Sequence, residues 1–268
     1  MDKQKGRVLI IAGSDSGGGA GIQGDIKTVT CLGGYAASAI TALTAQNTQG
    51  VFGIQEVPDD FIRQQMQLVI SDIGVDAFKT GMLHKASVIA TVADVLEGQS
   101  APLVLDPVMF AKGGQALLEM EAIDTLITRL IPLATLITPN IPEAEHLTGQ
   151  RIETPHDMLR AGERLLRLGC RAALIKGGHL EGELVTDLLV SPAGSQRYEQ
   201  PRQHTQHTHG TGCALASAIA TGLAQGLTLP MAVTRARDYV LNAIVQAPQL
   251  GQGHGPLAHN YMLMESAD

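Results

Sequence analysis

The sequence predicts an α/β fold with a mainly parallel central sheet and helices on both faces. Short β-branched runs alternate along the chain with longer segments of helical period, which is the signature of βα units. The 268 residues are 44% hydrophobic and 17% charged, enough to bury a large core. No Pro/Gly/Ser-rich linker, long charge run or internal repeat divides them, so residues 1–268 read as a single domain.

The first strand is Arg7–Ala12. Its apolar run Val8-Leu9-Ile10-Ile11-Ala12 ends at Gly13 and Asp15, too short for a signal-peptide core or a span of about 18–20 residues. Tyr35–Gln46 and Val51–Val57 read as extra strands flanking Asn47-Thr48-Gln49-Gly50. After Pro58-Asp59, the residues Phe61, Ile62, Met66, Val69, Ile70 and Ile73 recur at i, i+3, i+4 spacing, a helix with one apolar face and an acidic first turn. Ala77–Thr80, Pro102–Leu105, Thr135–Thr138 and Ala172–Lys176 are further strands, with helices expected at Val88–Leu96, Leu117–Leu130 and Met158–Leu168. Gly182–Val190 with Gln196–Gln200 suggests a late hairpin or meander, and Ala214–Leu223 and Met231–Val245 complete the helices. Gln203 to Thr234 carries no Lys, Arg, Asp or Glu. Its three histidines, several glycines and Pro230 make it a buried helical segment rather than a membrane span.

Charge and composition exclude several functions. The formal net charge is −7, and the only basic cluster is Lys3, Lys5 and Arg7, so the positive stripe that nucleic acid phosphates require is absent. Aromatics at 3% and no Trp argue against base-stacking platforms and aromatic sugar clamps. The odd set Cys31, Cys170 and Cys213 contains no CxxC, which argues against a disulfide framework or a cysteine zinc site and for a reducing, cytoplasmic location.

Chemistry concentrates in loops. Gly13-Ser14-Asp15-Ser16-Gly17-Gly18-Gly19-Ala20-Gly21 follows the first strand and opens a helix. It formally contains G-x-G-x-x-G, but no Asp or Glu lies between Asp25 and Glu56, where a dinucleotide site wants its ribose ligand, and no G-x-x-x-x-G-K-[ST] is present. A turn that needs glycine backbone angles explains Gly17–Gly19 equally well. Asp25, on the following helix in apolar surroundings, calls for a partner or a ligand. His209-Gly210-Thr211-Gly212-Cys213 leads into an uncharged helix, whose free N–H groups and dipole suit an anion such as a phosphoryl group. The same dipole favours a thiolate at Cys213, as base or charge stabiliser, although most lone cysteines are small core residues.

Asp106-Pro107-Val108-Met109 and Thr138-Pro139-Asn140-Ile141-Pro142-Glu143 fall at predicted strand ends, where open α/β sheets place their crevice. Asn140 and Glu143 can face one metal shell or form a helix cap. Lys176, before Gly177-Gly178-His179, can reach a nucleotide phosphate. His204, His207 and His209 lack the spacing of a helical zinc site.

In this order and spacing the loops resemble those of the ribokinase-like family, and within it the hydroxymethylpyrimidine/phosphomethylpyrimidine kinases of thiamine biosynthesis. The resemblance runs from Ala12 to Cys213 and includes Ala42-Leu43-Thr44-Ala45-Gln46-Asn47-Thr48 and Lys79-Thr80-Gly81-Met82. It implies a ribokinase-like fold and ATP- and Mg²⁺-dependent phosphorylation of an aminopyrimidine hydroxymethyl group, then of the monophosphate. By the resemblance, Gly13, Asp25, Gln46, Met82 and Val108 would line the pyrimidine pocket. Glu143, with Asn140 and Asp106, would serve Mg²⁺ and its waters. Lys176, Thr211 and Asn140 would meet ATP, and Cys213, with Gly210 and Gly212, would stand at the reacting group. A homodimer is also implied. The alternatives are a pyridoxal or pyridoxine kinase, or a non-catalytic pyrimidine sensor on the same fold, which the presence of Asn140, Glu143, Lys176 and Cys213 disfavours.

Overall fold

Val8 to Ala12 are apolar at successive positions, which only a strand covered on both faces can bury. All five are fully buried in β1 (Arg7–Asp15) of the computed structural model, which describes residues 6–111 and 113–264; Lys3, Lys5 and Lys112 lie outside the described residues. β1 is flanked on one side by β2 (Tyr35–Asn47) and β3 (Gly50–Glu56), and on the other by β4 (Ala77–Thr80), β5 (Leu103–Leu105), β6 (Leu136–Ile137) and β7 (Ala173–Ile175). The hairpin β8 (Leu184–Ser191) and β9 (Gly194–Pro201) completes the far edge. The order is β3-β2-β1-β4-β5-β6-β7-β8-β9, parallel from β2 through β7 and antiparallel at both ends.

Alternation along β1 separates two cores. Leu9 and Ile11 pack with α2 (Asp59–Asp72), α3 (Ala86–Leu96), α5 (Ile141–Thr148) and α6 (Pro155–Arg167). Val8, Ile10 and Ala12 pack with α1 (Gly21–Cys31), α7 (Thr211–Ala224) and α8 (Leu229–Val245). The uncharged α7 lies in this second core, and among the described residues no helix is long and apolar enough to cross a membrane.

Two helix starts differ from expectation. The segment expected as a helix from Leu117 becomes helical only at Ala122, in the short α4 (Ala122–Thr125), and continues as a π turn (Leu126–Leu130) and a 3₁₀ turn (Ile131–Leu133). Loop hydrogen bonds claim the preceding backbone: Leu117 and Leu118 N–H donate to the Met109 carbonyl and Glu119 N–H to that of His84. Helix α7 instead starts early, at Thr211, so Gly212 and Cys213 occupy its first turn.

Candidate active site

The parallel strands end on one side of the sheet, and β1 is the switch point from which connections leave in both directions. A cavity of about 660 Å³ opens there, walled by the Gly-rich loop after β1, the ends of β4 to β7 and the start of α7. Among the expected residues, Gly13, Gln46, Met82, Val108, Asp106, Asn140, Glu143, Lys176, Gly210, Thr211, Gly212 and Cys213 line it; Asp25 does not.

At one end the helix N-terminus meets a cluster of charge. Gly210, with φ +85°, is the N-cap of α7, and a side chain there would run into the Gly19 carbonyl. A Cβ at Gly212 would lie 3.2 Å from Lys176 Nζ and 3.8 Å from Asp106 Oδ2, so glycine leaves room for a group to enter between helix and lysine. Lys176 Nζ donates to Asp106 Oδ1 at 3.1 Å. Burial works against this ammonium, but Asp106 and Glu143 outweigh it and hold its pKa above the ordinary lysine range. Asn140 and Glu143 form a full capping box on α5, each side chain accepting the other's backbone N–H at 2.9 and 2.8 Å. Burial, opposed by Lys176 and reinforced by Asp106, pushes the Glu143 carboxyl up to about 7.

Burial pushes the Cys213 thiol up to about 12 despite Lys79, so desolvation works against the thiolate that the helix dipole would favour. All three cysteines are free.

Asp25, expected in the pocket, does not line the cavity. Asp25 is fully buried beneath the wall, where Lys79 Nζ donates to its Oδ2 and Ser217 Oγ to its Oδ1, both at 2.7 Å. Ser217 is one turn along α7 from Cys213, so this buried network underlies the N-terminal end of the helix. Burial alone would lower the Lys79 pKa; Asp25 and Asp106 reverse that and hold the lysine charged. Lys79 faces the cavity and was not singled out from the sequence. The available signal was a charged residue in an otherwise apolar strand, which demands a buried partner.

At the other end, Met82 is fixed by Thr41 Oγ1, which donates to its carbonyl at 2.7 Å, and a Cβ at Gly13 would lie 3.0 Å from Met82 Sδ. Val108 and the buried Leu117 add apolar wall. Gln46 sits between Thr44, whose Oγ1 is 3.1 Å from its Oε1, and His209, whose Nε2 is 3.4 Å from its Nε2. Asp15 and His209, both cavity-lining, were also missed as candidates: His209 Nε2 is 2.8 Å from Asp15 Oδ2. Asp15 also accepts from the N–H groups of Gly17, Gly19 and Ala20. Burial opposes its charge, yet His209 and these N–H groups hold its pKa below the usual range. Of the other histidines, His204 is exposed near Glu183, and among the described residues no group of three or more His, Cys, Asp or Glu is arranged around a metal position.

Residues 15–258 match the family model described as phosphomethylpyrimidine kinase. The chain belongs to this family. The hydroxymethylpyrimidine/phosphomethylpyrimidine kinase of Streptomyces coelicolor is 50% identical over 258 residues, covering 96% of each chain. The thiamine biosynthesis bifunctional protein ThiED of Geobacter sulfurreducens is 53% identical over 95% of this chain, which spans about half (52%) of that relative. Among solved structures, the phosphomethylpyrimidine kinase of Clostridium difficile aligns with a TM-score of 0.80 at 44% identity, over 90% of this chain and all of that one. An ADP complex of Bacillus subtilis pyridoxal kinase aligns at 0.90 and 34% identity, over 97% and 99%. The phosphomethylpyrimidine kinase fold and the pyridoxal kinase fold are thus one ribokinase-like architecture.

Proposed function

We propose that this protein uses ATP to phosphorylate 4-amino-5-hydroxymethyl-2-methylpyrimidine, and then its monophosphate to the diphosphate, in thiamine diphosphate biosynthesis. The observation that carries the reading is a cavity with two chemically distinct ends. One end offers the Gln46 amide among the apolar surfaces of Met82 and Val108, and suits an aminopyrimidine edge. The other offers the N-terminus of α7, open at Gly212 and facing Lys176, and suits a phosphoryl group.

The hydroxymethyl oxygen attacks the γ-phosphorus, the bond to the bridging oxygen breaks, ADP leaves with its electron pair, and the hydroxyl proton is released. Lys176, with Thr211 and Asn140, meets the nucleotide. Lys176, the fixed charge of Lys79 in the cavity wall and the N–H groups at Gly212 and Cys213 receive the negative charge that develops. Because burial disfavours the Cys213 thiolate, the reading rests on this electrostatic contribution rather than on proton abstraction by Cys213. Asp106 and Glu143 suit Mg²⁺, which takes one or two carboxylates and completes its shell with phosphates and water. Mg²⁺ held by Asp106 and Glu143 would neutralise the phosphate charge.

The reading takes residues 1–268 as one kinase domain working as a cytoplasmic homodimer; Leu43 and Phe52, exposed apolar residues on the β2–β3 edge, support self-association. Pyridoxal phosphorylation is the second reading, favoured by the 0.90 TM-score to a pyridoxal kinase. Incubation of purified protein with γ-labelled ATP, Mg²⁺ and each substrate in competition tests both. Labelled pyrimidine mono- and diphosphate are expected; preferential labelling of pyridoxal, or no transfer, overturns the proposal.

A further inference from the structure

The Gln46 side chain is packed between two hydrogen-bonding neighbours whose protons are already claimed. The Thr44 hydroxyl has one hydrogen, and the Ser14 carbonyl, at 2.8 Å, is closer to it than Gln46 Oε1. Asp15 is ionised and can only accept, so at 2.8 Å it requires the proton of His209 to sit on Nε2. A protonated Nε2 cannot accept from Gln46 Nε2, which lies 3.4 Å away. The amide is therefore held in place by its neighbours while its donors stay free for a ligand.

We infer that Asp15 is a specificity-determining positioning residue: by fixing the His209 proton on Nε2 it denies His209 to Gln46 and keeps the Gln46 amide available to the substrate ring. Without the carboxylate, the imidazole can carry its proton on the other nitrogen, and Nε2 becomes an acceptor within reach of the Gln46 amide. The ligand class is a planar heterocycle presenting a donor and an acceptor on one edge. This rests on the aminopyrimidine kinase reading, since Asp15 acts only through Gln46.

A double-variant kinetic cycle separates this role from Asp15's capping of the loop N–H groups. Asp15→Ala should raise KM for the aminopyrimidine about tenfold, with KM for ATP and kcat within about threefold. His209→Phe removes the competing nitrogen and should cost the pyrimidine less than Asp15→Ala does. Added to Asp15→Ala, it should recover most of the lost KM. A double variant as poor as Asp15→Ala makes Asp15 a loop cap only, and His209→Phe as poor as Asp15→Ala makes the pair a simple staple; either result overturns the inference. ¹⁵N NMR of the wild-type imidazoles does not depend on the variants folding: His209 should carry its proton on Nε2, and an Nδ1-protonated neutral ring overturns the inference equally. A wild-type protein that does not phosphorylate the aminopyrimidine sinks the functional reading instead, and is recognised before any variant is made.

Discussion

Asp25 and Lys79 are both fully buried and joined at 2.7 Å, so neither charge can reach water if its partner is removed. Asp25→Asn keeps the shape and still accepts from Ser217, but leaves an ammonium in an apolar interior. Removing one member of such a pair costs about 3–5 kcal/mol, whereas replacing both by groups of similar volume is often close to neutral. For 268 residues, with an unfolding entropy of about 2.1 cal/mol/K per residue, that cost lowers Tm by about 5–9 °C. Lys79→Met should do the same by stranding the carboxylate. The double variant Asp25→Asn/Lys79→Met should recover most of the loss, within about 2 kcal/mol of wild type. Urea and thermal unfolding of the four proteins, followed by circular dichroism, measures the coupling. Single losses below about 1 kcal/mol, or losses that simply add in the double variant, would refute the idea that each charge depends mainly on the other.

Glu143→Gln retains the capping geometry and removes a carboxyl whose pKa is raised by burial to about 7 from an ordinary 4.5. The folded wild type binds that proton more tightly than the unfolded chain, so this contribution is complete below pH 4.5 and disappears as pH rises through 7. The variant should gain on the order of 3 kcal/mol over wild type above pH 7 and almost nothing near pH 4.5, read from urea midpoints. Its kcat should nonetheless fall, with a higher Mg²⁺ requirement; unchanged Mg²⁺ dependence would reduce Glu143 to a cap. Gln46→Leu should weaken aminopyrimidine binding by about 1–3 kcal/mol in calorimetry while ATP binding hardly changes, and an unaltered pyrimidine affinity would remove Gln46 from recognition. Alkylation of Cys213 in the free protein should accelerate with pH without levelling off below pH 10, because the thiol is pushed up to about 12; a plateau near neutrality would restore the thiolate base.

How far the fold is legible in the sequence depends on how local its causes are. The run Val8 to Ala12 states both its strand character and its two-sided burial in five residues, and the segment after Pro58-Asp59 states its helix by period. The late start of the helix at Ala122 is not local: it follows from Met109 and His84 carbonyls that capture the Leu117, Leu118 and Glu119 backbone from other parts of the chain. No periodicity scan registers an acceptor supplied from elsewhere. The start of α7 at Thr211 is obscured for the opposite reason, because Gly212 reads as loop by composition but is needed in the helix for the space its missing side chain leaves beside Lys176.

The same distinction governs the site. Residues at strand ends, such as Asp106, Asn140 and Lys176, are legible because position along an α/β chain already predicts the crevice, and all three line it. Asp25 was legible as a carboxylate needing a partner but not as Lys79's partner, because the pairing spans 54 residues and the two meet only when α1 packs on β1, the strand beside β4. That pairing leaves Asp25 behind the residues that line the cavity, where its carboxylate accepts from Lys79 and Ser217. Asp15 and His209, 194 residues apart, illustrate the reverse. Each lies in a glycine-rich loop whose composition explains itself as backbone geometry, and only their contact shows that one loop supplies the carboxylate that fixes the other's proton. Charge placed by local pattern can therefore be read in advance, whereas charge placed by a long-range partner changes which side of the pocket wall a residue serves.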